Sequence, residues 1–494
     1  MSAIQYLCAP IIADRGRVAL QSRKFLTSSN VKNFVNNILH MFSQKQSFIK
    51  GAVIISLGGF ISKLLGAFYR IPLTRFLGGE GMGIYQMVYP LYCILLTVSA
   101  SGIPTGIARL ISSGSAGAEK KAFRLYGAIG VVGTLIMYML SAPLAAVQEE
   151  PAIKLCCIML CPSVFFVSVL SIVRGYFQGR GNMYPTAISE VAEQVIKVAL
   201  GCALAYFFRD NLAIAVASTL FAVTVSEAVA TAFALVWYFK RRGVQPLFKV
   251  PSVRYKSIIG YTVPLTLTAI ALPASQLVES IVAVRLLKAV GENATALYGI
   301  FSGCAVTIIN LPVSVTYGLA AASVPQISPL AEKGDIQGAK NKAFKSILIT
   351  FAISAPAAVG LYAFAPLAVR LIFSSLGEKE AAVLIKLVRI MAVNAVTLSL
   401  VQTSSACLTS LGKPIRSTVT QWVSAILRVA LTAVLIKFTT LSISGAAISA
   451  NISYLVATLI NFWYIIKRGN GNENNFNRIR SKEGRPDLAR GGGA

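Results

Sequence analysis

The chain has 494 residues, 55% of them hydrophobic and 13% charged, with a mean hydropathy of +0.68. A soluble body of that size would lack the polar side chains to cover its surface, so lipid is its solvent. The formal charge of +28 would suit nucleic acid, but the cations cluster in one set of connections between apolar stretches, which argues against a nucleic-acid partner.

Residues 1–48 form a basic extension with a single acid, Asp14. An amphipathic surface segment, a transit-like sequence and an upstream-extended start all suit it, the last best. Twelve stretches of membrane-crossing length follow, near 51–77, 82–108, 124–147, 153–177, 184–208, 212–239, 257–287, 296–325, 344–372, 381–408, 415–438 and 444–467. Each is predicted to be a helix, because lipid tolerates no unpaired backbone and nothing here alternates like a barrel strand. The expected layout is a first lobe at 49–243 and a linker at 244–256, then a second lobe at 257–468 and a disordered tail at 469–494.

The second half repeats the first. Ser226-Glu-Ala-Val-Ala-Thr231 with Trp237-Tyr238 and Lys240-Arg241 matches Ser453-Tyr-Leu-Val-Ala-Thr458 with Trp463-Tyr464 and Lys467-Arg468. Tyr85 pairs with Tyr298, Ala142-Pro-Leu-Ala145 with Ala365-Pro-Leu-Ala368, and Lys197-Val-Ala-Leu200 with Arg428-Val-Ala-Leu431, all in the same order. Six spans fall in each half, so the halves are parallel repeats about an axis along the membrane normal. That layout belongs to secondary transporters, which bind substrate between two lobes.

Cations mark the even connections: Lys120, Lys121 and Arg124; Arg174 and Arg180; Lys240 to Arg242; Lys333 to Lys345; Lys413 and Arg416. The odd connections hold Glu149 and Glu150, Arg209 beside Asp210, and Glu378 to Glu380. This positive-inside pattern places both termini in the cytoplasm.

No enzyme is expected. The single histidine, His40, precedes the first span, and Gly412-Lys413 is followed by Pro414 without the upstream glycine of a nucleotide-binding loop. No cofactor is implied, and H+, Na+ or the membrane potential would supply the energy. Cys156, Cys157 and Cys161 lie inside an apolar stretch and read as small packing residues.

Charges within spans are costly and normally face a cavity or a partner. In span five, Glu190, Glu193 and Lys197 share one helical face, and two readings fit: Glu193 and Lys197 neutralise each other, or the acids couple an ion. Arg428 repeats Lys197, whereas Gln421 and Ser424 replace Glu190 and Glu193, leaving acids in one lobe only. Glu227 is central in span six, with Tyr454 in its place in the repeat. Lys63 and Arg70 lie deep in span one, where they would suit a phosphate; Arg75 reads as an interfacial anchor. Glu279 and Arg285 in span seven form either a surface pair or a gate. Gly102 and Pro104 in span two, with Pro312 and Pro325 in span eight, are predicted to break corresponding helices, as hinges or as fixed kinks.

Several of these runs carry a resemblance. Ser62-Lys-Leu-Leu-Gly66 with Arg75-Phe-Leu-Gly78, Ala100-Ser-Gly-Ile-Pro104, Arg174-Gly-Tyr-Phe-Gln-Gly179, Glu193-Gln194, Asn310-Leu-Pro312 and Val324-Pro-Gln-Ile-Ser328 are similar to the polysaccharide-biosynthesis branch of the multidrug/oligosaccharidyl-lipid/polysaccharide flippase superfamily, over about residues 49–468. The resemblance implies a V-shaped, all-α integral membrane protein with alternating access in a bacterial plasma membrane. It also implies a cationic cavity for a lipid-linked sugar pyrophosphate. Lys63, Arg70, Arg109, Arg174 and Lys197 are the expected head-group ligands, and Glu190, Glu193 and Glu227 the ion-coupling candidates. Two departures separate the chain from lipid II flippases: it ends in a polar tail after twelve spans, and Thr307 stands where they place an arginine in span eight.

The leading reading is a flippase for an undecaprenyl-pyrophosphate-linked wall or spore-cortex precursor, with membrane lipids and wall-synthesis enzymes as partners. A cation-coupled multidrug antiporter of the same fold is the alternative. A membrane scaffold is the third reading and leaves the intramembrane charges unexplained.

Overall fold

The computed structural model describes residues 48–100, 102–112, 118–241 and 255–467. The expected extension before residue 48, most of the inter-lobe linker and the tail from 468 lie outside the described residues, as does the side chain of Arg109. Among the described residues the protein is all helix: α1 Phe48–Ala100, α2 Ile103–Ser112, α3 Ala118–Gln148, α4 Ala152–Leu160, α5 Pro162–Gly179, α6 Tyr184–Phe207 and α7 Leu212–Arg241. The second lobe follows with α8 Tyr255–Ala289, α9 Ala294–Tyr298, a π-helical segment Gly299–Ala305, α10 Val306–Glu332, α11 Ile336–Ala363, α12 Ala365–Ile372, α13 Glu378–Ser410, α14 Pro414–Phe438 and α15 Ser444–Ile466.

Ten of these stretches are long and apolar enough to cross a membrane. One of them holds two of the expected spans, because α1 runs for 53 residues. A straight helix of that length would extend about 80 Å, far more than a hydrocarbon core of about 30 Å. Gly78 divides it, with φ 65 and ψ −172, a conformation open only to a residue without Cβ. α6 is the other expected span; Glu190, Glu193 and Lys197 make it too charged to qualify on apolarity alone. With the arms of α1 counted separately and α6 added, the twelve spans read from the sequence are present.

The duplication holds in three dimensions. Span one packs on span five (α1 on α6) and span seven on span eleven (α8 on α14); span five packs on six (α6 on α7) and eleven on twelve (α14 on α15). Between helices in lipid, close packing and hydrogen bonds replace the release of water as the cohesive force. Even these bonds repeat: Thr231 Oγ1 donates to the Phe166 carbonyl at 3.0 Å, and its counterpart Thr458 donates to that of Thr397 at 3.4 Å. Thr224 and its counterpart Asn451 likewise donate to the carbonyls of Met159 and Ile390, at 2.8 and 2.7 Å.

α3 and α11 present apolar outer faces, including Leu135 and Met139 on one and Leu348 and Val359 on the other. Cys156, Cys157 and Cys161 are buried in the main hydrophobic core, as packing residues would be.

The kinks differ from expectation. Gly102, at φ 74, does separate α1 from α2, and Pro104 sits in the first turn of α2, where a missing N–H costs least. In the second lobe α10 runs unbroken through Pro312 and Pro325. The irregular segment there is the π-helical Gly299–Ala305, which ends about two turns before Pro312 and packs Gly299 against Gly79 and Gly83, and Gly303 against Met82, of the first lobe.

Candidate functional site

α1, α5, α6 and α7 bring most of the intramembrane charges into one electrostatic network. Arg174 of α5 pairs with Glu193 of α6 at 3.1 Å, both side chains 14% exposed, and donates from Nε to Ser189 Oγ at 2.9 Å. Gln194 donates to the other Glu193 oxygen at 3.2 Å. Glu193 is therefore neutralised by Arg174 across helices, and the pairing with Lys197 along α6 is not the one that forms. Lys197 instead lies within electrostatic reach of Glu193, Glu227 and Arg70. Lys63 and Glu190 likewise face each other between α1 and α6.

Glu227 is 4% exposed. Its Oε1 accepts from the Tyr92 hydroxyl at 3.3 Å, while Oε2 has no hydrogen-bond partner.

Two of the cations bridge the lobes. Arg70 donates to Thr307 Oγ1 at 3.3 Å, so the threonine that stands in place of an arginine receives a guanidinium from the opposite lobe. Lys63 Nζ lies 2.7 Å from the centre of the Tyr317 ring, a cation–π contact between α1 and α10. Counted formally, Lys63, Arg70, Arg174 and Lys197 outnumber Glu190, Glu193 and Glu227 by one, and Lys63 and Arg70 are the two that reach the seam with α10.

The second lobe has its own charge site, built on an acid outside the repeat positions of Glu190 and Glu193. Arg428 of α14 forms an ion pair with Glu279 of α8 at 2.7 Å and donates to Tyr454 of α15 at 2.9 Å. Tyr454 occupies the place of Glu227, so each lobe sets its span-eleven or span-five cation against the same position of the next span. Counting from Tyr85 and Tyr298, the acid Glu279 falls in the place of Gly66, where the repeat gives no hint of a charge. Glu279 is thus neither a surface pair nor a gate with Arg285.

Arg285 instead reaches across to the end of α3 in the first lobe. Glu149, at φ 53, follows the last residue of α3, and the backbone N–H groups of Glu149 and Glu150 return to the carbonyls of Ala146 and Ala145. The carbonyls of Val147, Gln148 and Glu149 stay open, at the negative end of the helix dipole. Arg285 donates to Val147 O at 2.8 Å, and Lys288 to Gln148 O at 3.1 Å and Glu149 O at 2.8 Å. Beside this cap the lobes meet backbone to backbone: a methyl group on Gly83 would overlap the Thr295 carbonyl, and one on Gly299 the Gly79 carbonyl. Gln86 Nε2 donates across the same seam to Ser302 O at 2.9 Å. The bundle is sealed at the end that carries the odd connections.

Two six-span lobes, joined at one end and meeting over a charged seam, define a multi-pass membrane transporter of the flippase type. The family model described as polysaccharide biosynthesis protein matches residues 48–331, and the chain belongs to that family; the MatE model matches residues 264–434. Stage V sporulation protein B of Bacillus subtilis (strain 168) is 27% identical over 361 residues, covering 69% of either chain. Lipid II flippase MurJ of the same organism is 22% identical over 347 residues, covering 63% of each. The inward-facing conformation of a multidrug resistance MATE family transporter of the MOP superfamily shares the fold, with a TM-score of 0.68 at 18% identity, covering 87% of this chain and 99% of that one.

Proposed function

We propose that the protein flips a lipid-linked glycan precursor of the undecaprenyl-pyrophosphate type across the bacterial plasma membrane, for cell-wall or spore-cortex synthesis. The observation that carries this reading is the cationic excess at the lobe seam, where Arg70 and Lys63 on α1 reach Thr307 and Tyr317 on α10. Neither contact is with a carboxylate. A pyrophosphate arriving between the lobes offers both cations stronger partners, the guanidinium as a planar fork and the ammonium as a point charge.

The positive-inside pattern supports an orientation with the sealed end outside and both termini in the cytoplasm. The described arrangement then suits loading from the cytoplasmic leaflet. Head-group binding would draw Arg70 and Lys63 off α10, freeing the lobes to rock while the polyprenyl tail stays in lipid. Glu227, buried with one free carboxylate oxygen, is the coupling position for H+ or Na+.

Export of labelled precursor to the outer leaflet of depleted cells tests the reading. Lys63→Ala with Arg70→Ala should abolish export while the protein still folds and inserts; unchanged export removes the proposal. The second reading, a cation-coupled multidrug antiporter, rests on the free oxygen of Glu227 and the MatE match. H+- or Na+-dependent efflux of cationic dyes, lost in Glu227→Gln, would favour it.

A further inference from the structure

Spans nine and ten leave a groove on the second lobe, lined by Tyr362 of α11 and by Ala382, Ile385, Lys386, Arg389 and Ile390 of α13. None of these residues lies on α1, α6 or α10, which bear the charged seam. Lys386 and Arg389 are three residues apart and share a helical face. The Arg389 guanidinium carbon sits 5.9 Å from the centre of the Tyr362 ring. α13 carries no acid after Glu380, and no ion pair joins either cation to a carboxylate among the described residues.

Depth makes this pair unusual. α13 has 33 residues and is about 50 Å long, so centred on a 30 Å core it would overhang by roughly 10 Å at each end. Lys386 and Arg389 lie about 12 and 16 Å from its start, at or just beneath the head-group boundary. A cation there is costly unless oxygens reach it or it reaches them.

The scaffold has no need of these charges. The hydrogen bonds of Thr231 to Phe166 and of Thr458 to Thr397 set spans four and ten in register. On that register Lys386 and Arg389 occupy the places of Leu155 and Ile158, and the first lobe packs without a cation at either. Scaffold positions repeat between the lobes, whereas these break the repeat.

We propose that this groove binds the head-group phosphate of an anionic phospholipid. Lys386 and Arg389 hold the phosphate oxygens, Tyr362 orients the guanidinium through its ring face, and Ile385 and Ile390 carry the first methylenes of the acyl chains. The site is separate from the transport seam and stands independently of the substrate proposed for it.

The test is native mass spectrometry of the full-length protein in detergent with phosphatidylglycerol or phosphatidylcholine. Wild type should retain phosphatidylglycerol in preference. Lys386→Gln with Arg389→Gln should lower that retention on the order of tenfold and leave phosphatidylcholine unchanged, while Lys386→Arg with Arg389→Lys keeps it. Lys386→Gln alone should lower it severalfold and gives the same readout if the double variant does not fold. Equal phosphatidylglycerol retention by wild type and the glutamine variants overturns the proposal. Displacement of the lipid by excess inorganic phosphate also overturns it, in favour of a free-phosphate site.

Discussion

Arg428 and Glu279 form a buried ion pair at 2.7 Å, their side chains 8% and 1% exposed, that ties α14 to α8 inside the second lobe. Nε of Arg428 donates to the other carboxylate oxygen at 2.9 Å, so the contact is two-pronged, and Tyr454 takes a further guanidinium proton. Thr432 adds a hydroxyl to Glu279 at 3.4 Å.

Removal of one partner leaves the other charge buried without compensation. Arg428→Met alone should destabilise the protein by about 3–5 kcal/mol. Arg428→Met with Glu279→Gln should recover most of that loss. Thermal unfolding of the purified variants in detergent checks both, and a double variant as unstable as the single one would contradict the pairing.

Glycine sets how closely the lobes approach at the sealed end. Gly299→Ala puts a methyl group into the Gly79 carbonyl, and neither backbone can move aside within a packed helix. The variant should therefore favour the state open at this end. Spin labels at Lys154 and Val290, both exposed and on opposite lobes, should report a longer mean distance than in wild type. An unchanged distance distribution would mean that the seam yields elsewhere.

The cap on α3 should act in the same direction with smaller effect. Arg285→Gln and Lys288→Gln each remove a cation from open carbonyls at a helix C-terminus, an interaction of about 1 kcal/mol. A shift of that size changes the open-to-closed ratio about fivefold, and raised salt should reproduce part of it in wild type because these groups face solvent. The same pair of labels measures the ratio.

Glu227→Gln keeps the size of the side chain and its acceptor for Tyr92 while removing the charge facing Lys197. The variant should fold, insert and bind precursor, but lose the dependence of export on an H+ or Na+ gradient. Export by proteoliposomes with and without an imposed gradient checks it; a retained gradient dependence would remove Glu227 from the coupling role.

Much of the site was legible because charge in a membrane span is conspicuous. Lys63, Arg70 and Glu227 stood out singly, Glu190, Glu193 and Lys197 as one helical face, and Arg174 as a connection cation that the family resemblance added; the structure brings all seven into one network. Their partners were not legible. Helical spacing favoured Glu193 with Lys197, but Arg174 reaches Glu193 from another helix, a contact that no local pattern records. The cap on α3 was hidden for the same reason: apart from the Glu149 carboxylate 3.8 Å from Lys288, its acceptors are backbone carbonyls, which every residue carries and no sequence distinguishes.

By itself the sequence determined the twelve spans, the duplication and the sidedness of charge, because hydrophobic length and cation bias are local quantities that the bilayer reads one segment at a time. Only the tertiary structure decided which charges neutralise one another, which end of the seam is sealed, and that a glycine backbone contact with two capping cations seals it. Those outcomes depend on contacts between different helices, from Arg174 with Glu193, 19 positions apart, to Arg70 with Thr307, 237 positions apart, which only the packing within and between the lobes can set.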